Sequence, residues 1–244
     1  MKSHRHACIT GASRGIGAAI ALRLARTGYN VTLHYHSSAQ EVEQLAEQCR
    51  AAGVMAWVAR ADLSAPDGAE QLYSQLAQAP DILVLNAGIS MYGMVQDVRA
   101  EEWEKMMNVH VRAPFFCAKL AIDHMVRNRF GRIITVSSVW GLTGASYEVL
   151  YSTAKGAVVS FTKALAKEVA PSGITVNCIA PGLIATDMMT DAFSEEELAD
   201  IVEEIPAGRM GSAEEIAALA VFLASEEAGY VNGQIISPNG AWHC

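Results

Sequence analysis

No stretch of this 244-residue chain approaches the ~18 consecutive apolar residues that span a bilayer, so no segment is expected to cross a membrane. Charge is sparse, at 18% of residues, and its balance is acidic, with a formal net charge of −8. That balance argues against nucleic acid or an anionic membrane surface as the main partner. No Cys-x-x-Cys occurs. Cys8, Cys49, Cys117, Cys178 and Cys244 are scattered and odd in number, which reads as buried, reduced thiols in a cytoplasmic protein. The basic N-terminus is not followed by a signal-peptide apolar block, and no internal repeat, low-complexity tract or linker interrupts the chain. Apolar side chains make up 51% of the residues, enough for a packed globule, and the length suits one domain, 1–244.

Short apolar runs alternate with helical patterns along the whole length. Strands are expected at Ala7–Thr10, Asn30–Tyr35, Val54–Ala59, Asp81–Leu85, Arg132–Ser138, Ile174–Ile179 and Gln234–Ser237. Helices are expected over Ala18–Arg26, Glu41–Ala52, Asp67–Gln78, Glu101–Asn128 with a kink at Pro114, the segment carrying Tyr151 and Lys155, Met188–Glu204 in one or two mobile pieces, and Ala213–Ala224. This alternation predicts an α/β fold: a single-domain, Rossmann-type, doubly wound parallel sheet of about seven strands with helices on both faces.

Between the first strand and first helix lies Thr10-Gly-Ala-Ser-Arg-Gly-Ile-Gly17. A glycine turn between strand and helix is where a dinucleotide pyrophosphate binds, because Gly15 lets backbone approach it and the helix N-terminus offers free N–H groups. The second strand ends in His34-Tyr35-His36-Ser37-Ser38, without the acid that would bind a ribose 2′-hydroxyl. Hydroxyls and imidazoles there, with Arg14 in the neighbouring loop, favour a 2′-phosphate and hence NADPH over NADH. The His-x-His pairs, His4/His6 and His34/His36, have no third ligand nearby, so no metal is expected. Asp62-Leu63 could meet an adenine amino group or merely cap a helix before Pro66, and Asn86-Ala87-Gly88 could let the chain pass beneath a cofactor or only turn.

The chemistry concentrates between Gly131 and Ala170. Tyr151 and Lys155 are one helical turn apart on one face, so the ammonium is expected to lower the phenol pKa and ready it for proton transfer to a carbonyl oxygen. Ser138, at the preceding strand end, could hydrogen-bond the same oxygen. Taken singly, each has a plainer reading as a surface tyrosine, a lysine or a turn serine.

As an ordered set, the glycine turn, Asp62, Asn86-Ala-Gly88, Ser138, Tyr151-x-x-x-Lys155, Pro181-Gly182 and Thr186 resemble the short-chain dehydrogenase/reductase family. The chain length, Gly131-Arg-Ile-Ile134, Gly173-Ile-Thr-Val176, Pro206-Ala-Gly-Arg209 and Ala213-Glu-Glu-Ile216 are most similar to its bacterial 3-oxoacyl-[acyl-carrier-protein] reductase branch. The resemblance implies Ser138, Tyr151 and Lys155 as catalytic. It implies a cofactor cradle of Gly11, Ser13, Arg14, Gly15, Ile16, Gly17, Tyr35, His36, Ser37, Ser38, Asp62, Leu63, Asn86, Ala87, Gly88, Tyr151, Lys155, Pro181, Gly182, Ile184 and Thr186 for NADPH/NADP. It further implies reduction of a 3-oxoacyl thioester in fatty-acid or polyketide-like synthesis, a substrate lid over about 185–209, an acyl carrier protein as partner and a homotetramer joined through helices around 101–128 and 151–170. A dehydrogenase of a small alcohol, sugar or steroid ketone is the alternative, and a non-catalytic cofactor-binding subunit a further one.

Three features depart from that branch. His110 stands where the family has an asparagine anchoring a proton-relay water, and is expected to take over that role through its ring or backbone carbonyl. Of the two arginines that dock the carrier, Arg129 is present and Ser172 replaces the other, with Arg127 and Arg132 as candidate substitutes. The lid is acidic (Asp187, Asp191, Glu195, Glu196, Glu197, Asp200, Glu203, Glu204), with Met188, Met189 and Phe193 as candidate acyl-chain contacts.

Overall fold

The computed structural model describes residues 5–186 and 194–243. Seven parallel strands form one sheet: β1 (His6–Ile9), β2 (Asn30–Tyr35), β3 (Ala56–Arg60), β4 (Ile82–Leu85), β5 (Gly131–Val136), β6 (Ile174–Ile179) and β7 (Ile235–Ile236), in the order β3-β2-β1-β4-β5-β6-β7. β1, β4, β5 and β6 are buried at every position, because helices cover both faces. On one face α1 (Gly15–Arg26), α2 (Ala39–Ala51) and a late helix, Ala213–Ala224, pack Ile20, Leu24, Leu45, Ile216 and Leu223 against the sheet. On the other face α3 (Gly68–Tyr73), α5 (Ala113–Asn128) and α7 (Val149–Val169) supply Leu72, Ala118, Met125, Leu165 and Val169. Each large branched side chain buried this way contributes roughly 1.5–3 kcal/mol.

Strand order reverses between β1 and β4. The loops leaving their carboxyl ends therefore diverge and open a crevice, the standard ligand position in such sheets. Asn86 holds the two loops in register, its side-chain amide donating to the carbonyls of Thr10 and Gly11, both at 3.0 Å.

The expected long helix over 101–128 is not continuous. α4 (Ala100–Met107) gives way to a π turn at Asn108–Arg112, and α5 restarts just before Pro114. Proline lacks an N–H for the ladder, and the widened turn immediately before it accommodates that loss. α3 also stops early, at Tyr73, and the β5 strand ends at Val136, leaving Ser137 and Ser138 in the loop before the short helix α6 (Trp140–Thr143). Within the expected lid, α8 (Glu195–Glu203) is capped by Ser194 and Glu197; α9 is the Ala213–Ala224 helix. Asp187, Met188, Met189, Asp191 and Phe193 lie outside the described residues.

Candidate active site

A cavity of about 460 Å³ runs along the carboxyl ends of the strands, and every residue of the expected cradle lines it, as do Ser138 and His110. One end is the glycine turn. Gly11 sits at φ +64°, and a Cβ there would meet the Ala87 Cα at 2.8 Å, so the β1 and β4 loops touch only because both residues are small. A Cβ on Gly17 would strike the Gly11 carbonyl and the Asn86 side chain. This glycine thus serves helix-to-loop contact. Arg14 caps α1 without a side-chain hydrogen bond, leaving the first-turn N–H groups for an anion, with Arg14 and Lys105 as the nearby cations on the wall. This end suits a dinucleotide pyrophosphate.

Asp62 has two partners. Its Oδ1 accepts from the Ser64 N–H at 2.9 Å and hydroxyl at 2.6 Å, and its Oδ2 lies 3.8 Å from His36 Nε2. Those Ser64 bonds come first in holding its carboxyl below the usual range. His34, read in the sequence as part of a polar strand end and of a His-x-His pair, is buried behind this rim and bonds both Gly11 and Ala61.

At the other end Ser138, Tyr151 and Lys155 converge. The Ser138 hydroxyl acts on the Tyr151 phenol, favouring its charged form, and Lys155 Nζ lies 5.4 Å from the Tyr151 ring centre while donating to the Val136 carbonyl at 2.9 Å. Ser137 Oγ donates to the Lys155 carbonyl at 2.9 Å, fixing α7 against the β5 loop. Gly141 permits this approach, since a Cβ there would meet Ser137 Oγ at 2.6 Å.

The electrostatics differ from the sequence expectation. Burial, reinforced by the Glu148 carboxylate, pushes the Tyr151 phenol up, against the pull of the Ser138 bond. Burial also lowers Lys155 to about 8. Desolvation is the first cause of both shifts.

His110 is buried and held neutral, first by burial and then by the Lys155 charge. Its Nε2 lies 2.9 Å from the Ile89 carbonyl and 3.0 Å from the Ile89 N–H, and its ring meets Tyr151 edge-on at 5.6 Å. Gly88 makes room for it, because a Cβ there would come within 2.7 Å of His110 Cε1. That close approach accounts for a glycine in Asn86-Ala87-Gly88.

The wall beyond Tyr151 is built from residues that sequence reasoning did not single out: Tyr92, Trp140, Glu148, Ile201 and Trp242. Trp140 and Trp242 meet edge to face at 5.0 Å, and the Trp242 indole reaches Glu204 Oε2 at 3.4 Å. Tyr147, at φ +61°, stacks on Tyr92 with ring centres 5.3 Å apart. Their sequence separation hides the grouping; only the aromatic types hint at it.

Of the arginines considered for carrier docking, Arg132 is unsuitable. It is buried, donates to the carbonyls of Ser225 and Gly131, and stacks on Phe130. Arg129 is exposed but precedes β5, so it lies at the amino ends of the strands, opposite the carboxyl ends that form the cavity. Among the described residues no three His, Cys, Asp or Glu side chains gather as a metal site, and no helix is long and apolar enough to cross a membrane.

Residues 5–197 match the family model described as short chain dehydrogenase. This chain belongs to the short-chain dehydrogenase family, whose members are oxidoreductases. It is 48% identical to the uncharacterized oxidoreductase YmfI of Bacillus subtilis, over 99% of this chain and 100% of that one. It is 38% identical to the 3-oxoacyl-[acyl-carrier-protein] reductase FabG of Staphylococcus aureus, over 100% of both chains. Among solved structures it resembles YwfH, an NADPH-dependent reductase involved in bacilysin biosynthesis, with a TM-score of 0.91 and 31% identity over 99% of each chain.

Proposed function

We propose that this short-chain dehydrogenase is an NADPH-dependent reductase converting 3-oxoacyl thioesters, linked to a carrier protein or coenzyme A, into 3-hydroxyacyl thioesters. The observation that carries the reading is the convergence of Ser138, Tyr151 and Lys155 at one end of a cavity whose other end is the glycine turn. Likeness to FabG along the full length supports the thioester class.

In this reading Ser138 donates a hydrogen bond to the substrate carbonyl oxygen, and Tyr151 delivers the proton as negative charge develops there. Its raised pKa keeps the phenol protonated at neutral pH, which suits reduction. Lys155, steadied on the Val136 carbonyl, would hold the nicotinamide ribose. NADPH supplies the hydride when bound. His110 positions Tyr151 through ring contact, its Nε2 being engaged by Ile89. Arg14, His36, Ser37 and Ser38 at the cavity mouth, with no acid at the end of β2, favour a 2′-phosphate, as does the likeness to NADPH-dependent YwfH.

Residues 185–209 act as the lid, a role supported by Ile201 on the cavity wall. Exposed Phe115, Leu120 and Val126 along α5 support self-association, with a homotetramer as the proposed state. An acyl carrier protein docking at Arg129 would then serve the cavity of a neighbouring copy.

The test follows NADPH absorbance with an acetoacetyl thioester, then with cyclic ketones and sugars. Rapid oxidation by the thioester supports the reading. Oxidation only by the others assigns a small alcohol or sugar substrate, and none at all a non-catalytic subunit. NADH as the better donor would overturn the cofactor assignment.

A further inference from the structure

The substrate end of the cavity carries one carboxylate that the reduction chemistry does not require. Glu148 lines the wall three residues before Tyr151 and is half-buried, with the Trp140 side chain acting to favour its charged form. Its negative charge is felt at the Tyr151 oxygen. The rest of this wall is aromatic or apolar: Tyr92, Trp140, Ile201 and Trp242. Of the cations that line the cavity among the described residues, Lys155 lies at this end, 5.4 Å from the Tyr151 ring centre, but not on this wall. Lys155 donates to the Val136 carbonyl on the floor, whereas Lys105 acts on Asp62 and Arg14 caps α1, both at the nucleotide end. Among the described residues, a negative group carried next to the reacting carbonyl would therefore face Glu148 with no compensating charge on that wall. A like-charge contact within ~6 Å in such partly desolvated surroundings opposes binding by at least about tenfold.

We propose that Glu148 sets the charge class of the substrate, excluding ketones that bear a free carboxylate beside the carbonyl and admitting neutral acyl derivatives that offer an N–H or O–H to its oxygen. The aromatic wall serves the same selection by favouring an uncharged, largely apolar body. This inference rests on the proposed reading in one respect only, that the reacting carbonyl sits at Ser138 and Tyr151.

The experiment compares three 3-oxo compounds with the NADPH-loaded full chain: acetoacetate, its neutral ethyl ester, and its N-acetylcysteamine thioester. In the parent protein kcat/KM for the ester exceeds that for the acid. Glu148→Gln, nearly isosteric, lowers this ester-to-acid ratio at least tenfold by gaining acetoacetate, whereas Glu148→Asp, which keeps the charge, preserves most of it. A ratio within threefold of the parent in Glu148→Gln overturns the proposal. If the ester is reduced and the thioester is not, the thioester reading fails while the ratio still judges Glu148. If the thioester is reduced and the ratio does not move, the Glu148 proposal alone fails. Should no compound turn over, quenching of tryptophan fluorescence gives the two dissociation constants, and an ester-to-acid preference unchanged in Glu148→Gln overturns the proposal equally.

Discussion

His34 Nδ1 accepts the backbone N–H of Gly11 at 3.0 Å, while Nε2 on the same ring faces the Ala61 carbonyl at 3.1 Å. One neutral tautomer, protonated on Nε2, satisfies both, so a single buried imidazole ties the glycine turn to the end of β3. Removing it leaves a backbone donor unpaired at the cofactor end. His34→Ala is expected to weaken NADPH binding about tenfold, read by fluorescence titration, since an orphaned buried donor costs roughly 1–3 kcal/mol. A dissociation constant within twofold of the parent would contradict this. Burial lowers the His34 pKa to about 4. The stability tied to the neutral ring is therefore complete above about 6.5 and lost as pH falls toward 4. The urea midpoint of the parent should fall more steeply across that window than that of the variant.

Lys155 is a cation kept in the core for function. Lys155→Met should cut turnover at least 100-fold yet raise the denaturation midpoint at pH 7, because it removes a desolvated charge that donates to the Val136 carbonyl with no carboxylate paired to it among the described residues. With the folded-state pKa lowered to about 8, the parent's penalty is relieved as pH rises from about 8 toward the ordinary lysine value of 10.5. The stability gap between the two proteins must narrow over that interval. A gap independent of pH would mean that the ammonium is not desolvated. Tyr151→Phe, by contrast, should abolish reduction and leave cofactor affinity within a few fold.

Gly88 and His110 form a second coupled pair. Gly88→Ala is expected to destabilise the protein by roughly 1–3 kcal/mol through the clash with Cε1. His110→Ala should recover part of that loss in the double variant, a coupling readable by thermal melts. Additive effects would show that the contact does not limit the site.

The exposed apolar side chains of α5 carry a prediction about assembly. Phe115→Glu, at a side chain 51% exposed, should leave the monomer folded and shift the mass measured by light scattering to a smaller species.

Arg14 tests the cofactor assignment. Arg14→Ala should raise KM for NADPH about tenfold and KM for NADH by only a few fold, because both share the pyrophosphate and only the former carries the 2′-phosphate.

β2, β6 and the helix Ala213–Ala224 match their expected limits, each being a strongly patterned segment bounded by polar or turn residues. That the expected cradle residues line one cavity was equally legible, since the glycine turn, Asn86-Ala-Gly88 and the Tyr151/Lys155 pair are local patterns with a mechanical reason. The break at Asn108–Arg112 was not, because the sequence signal pointed to Pro114 and the π turn absorbs it earlier. The raised Tyr151 pKa was missed for a related reason: spacing reveals the neighbouring cation, but only the fold reveals burial. Glu148, Tyr92 and Trp242 come from distant parts of the chain, so no local pattern joins them.

The central position of β1 also bears on how the chain assembles during synthesis. Ala7 pairs with Val31 on one side but with Ile82 on the other. One edge of the first strand thus waits for about 75 further residues, some 4–15 s at ordinary translation rates of ~5–20 residues per second. Until then a buried-type apolar edge stands open, and the nascent first half is the species most prone to mispairing.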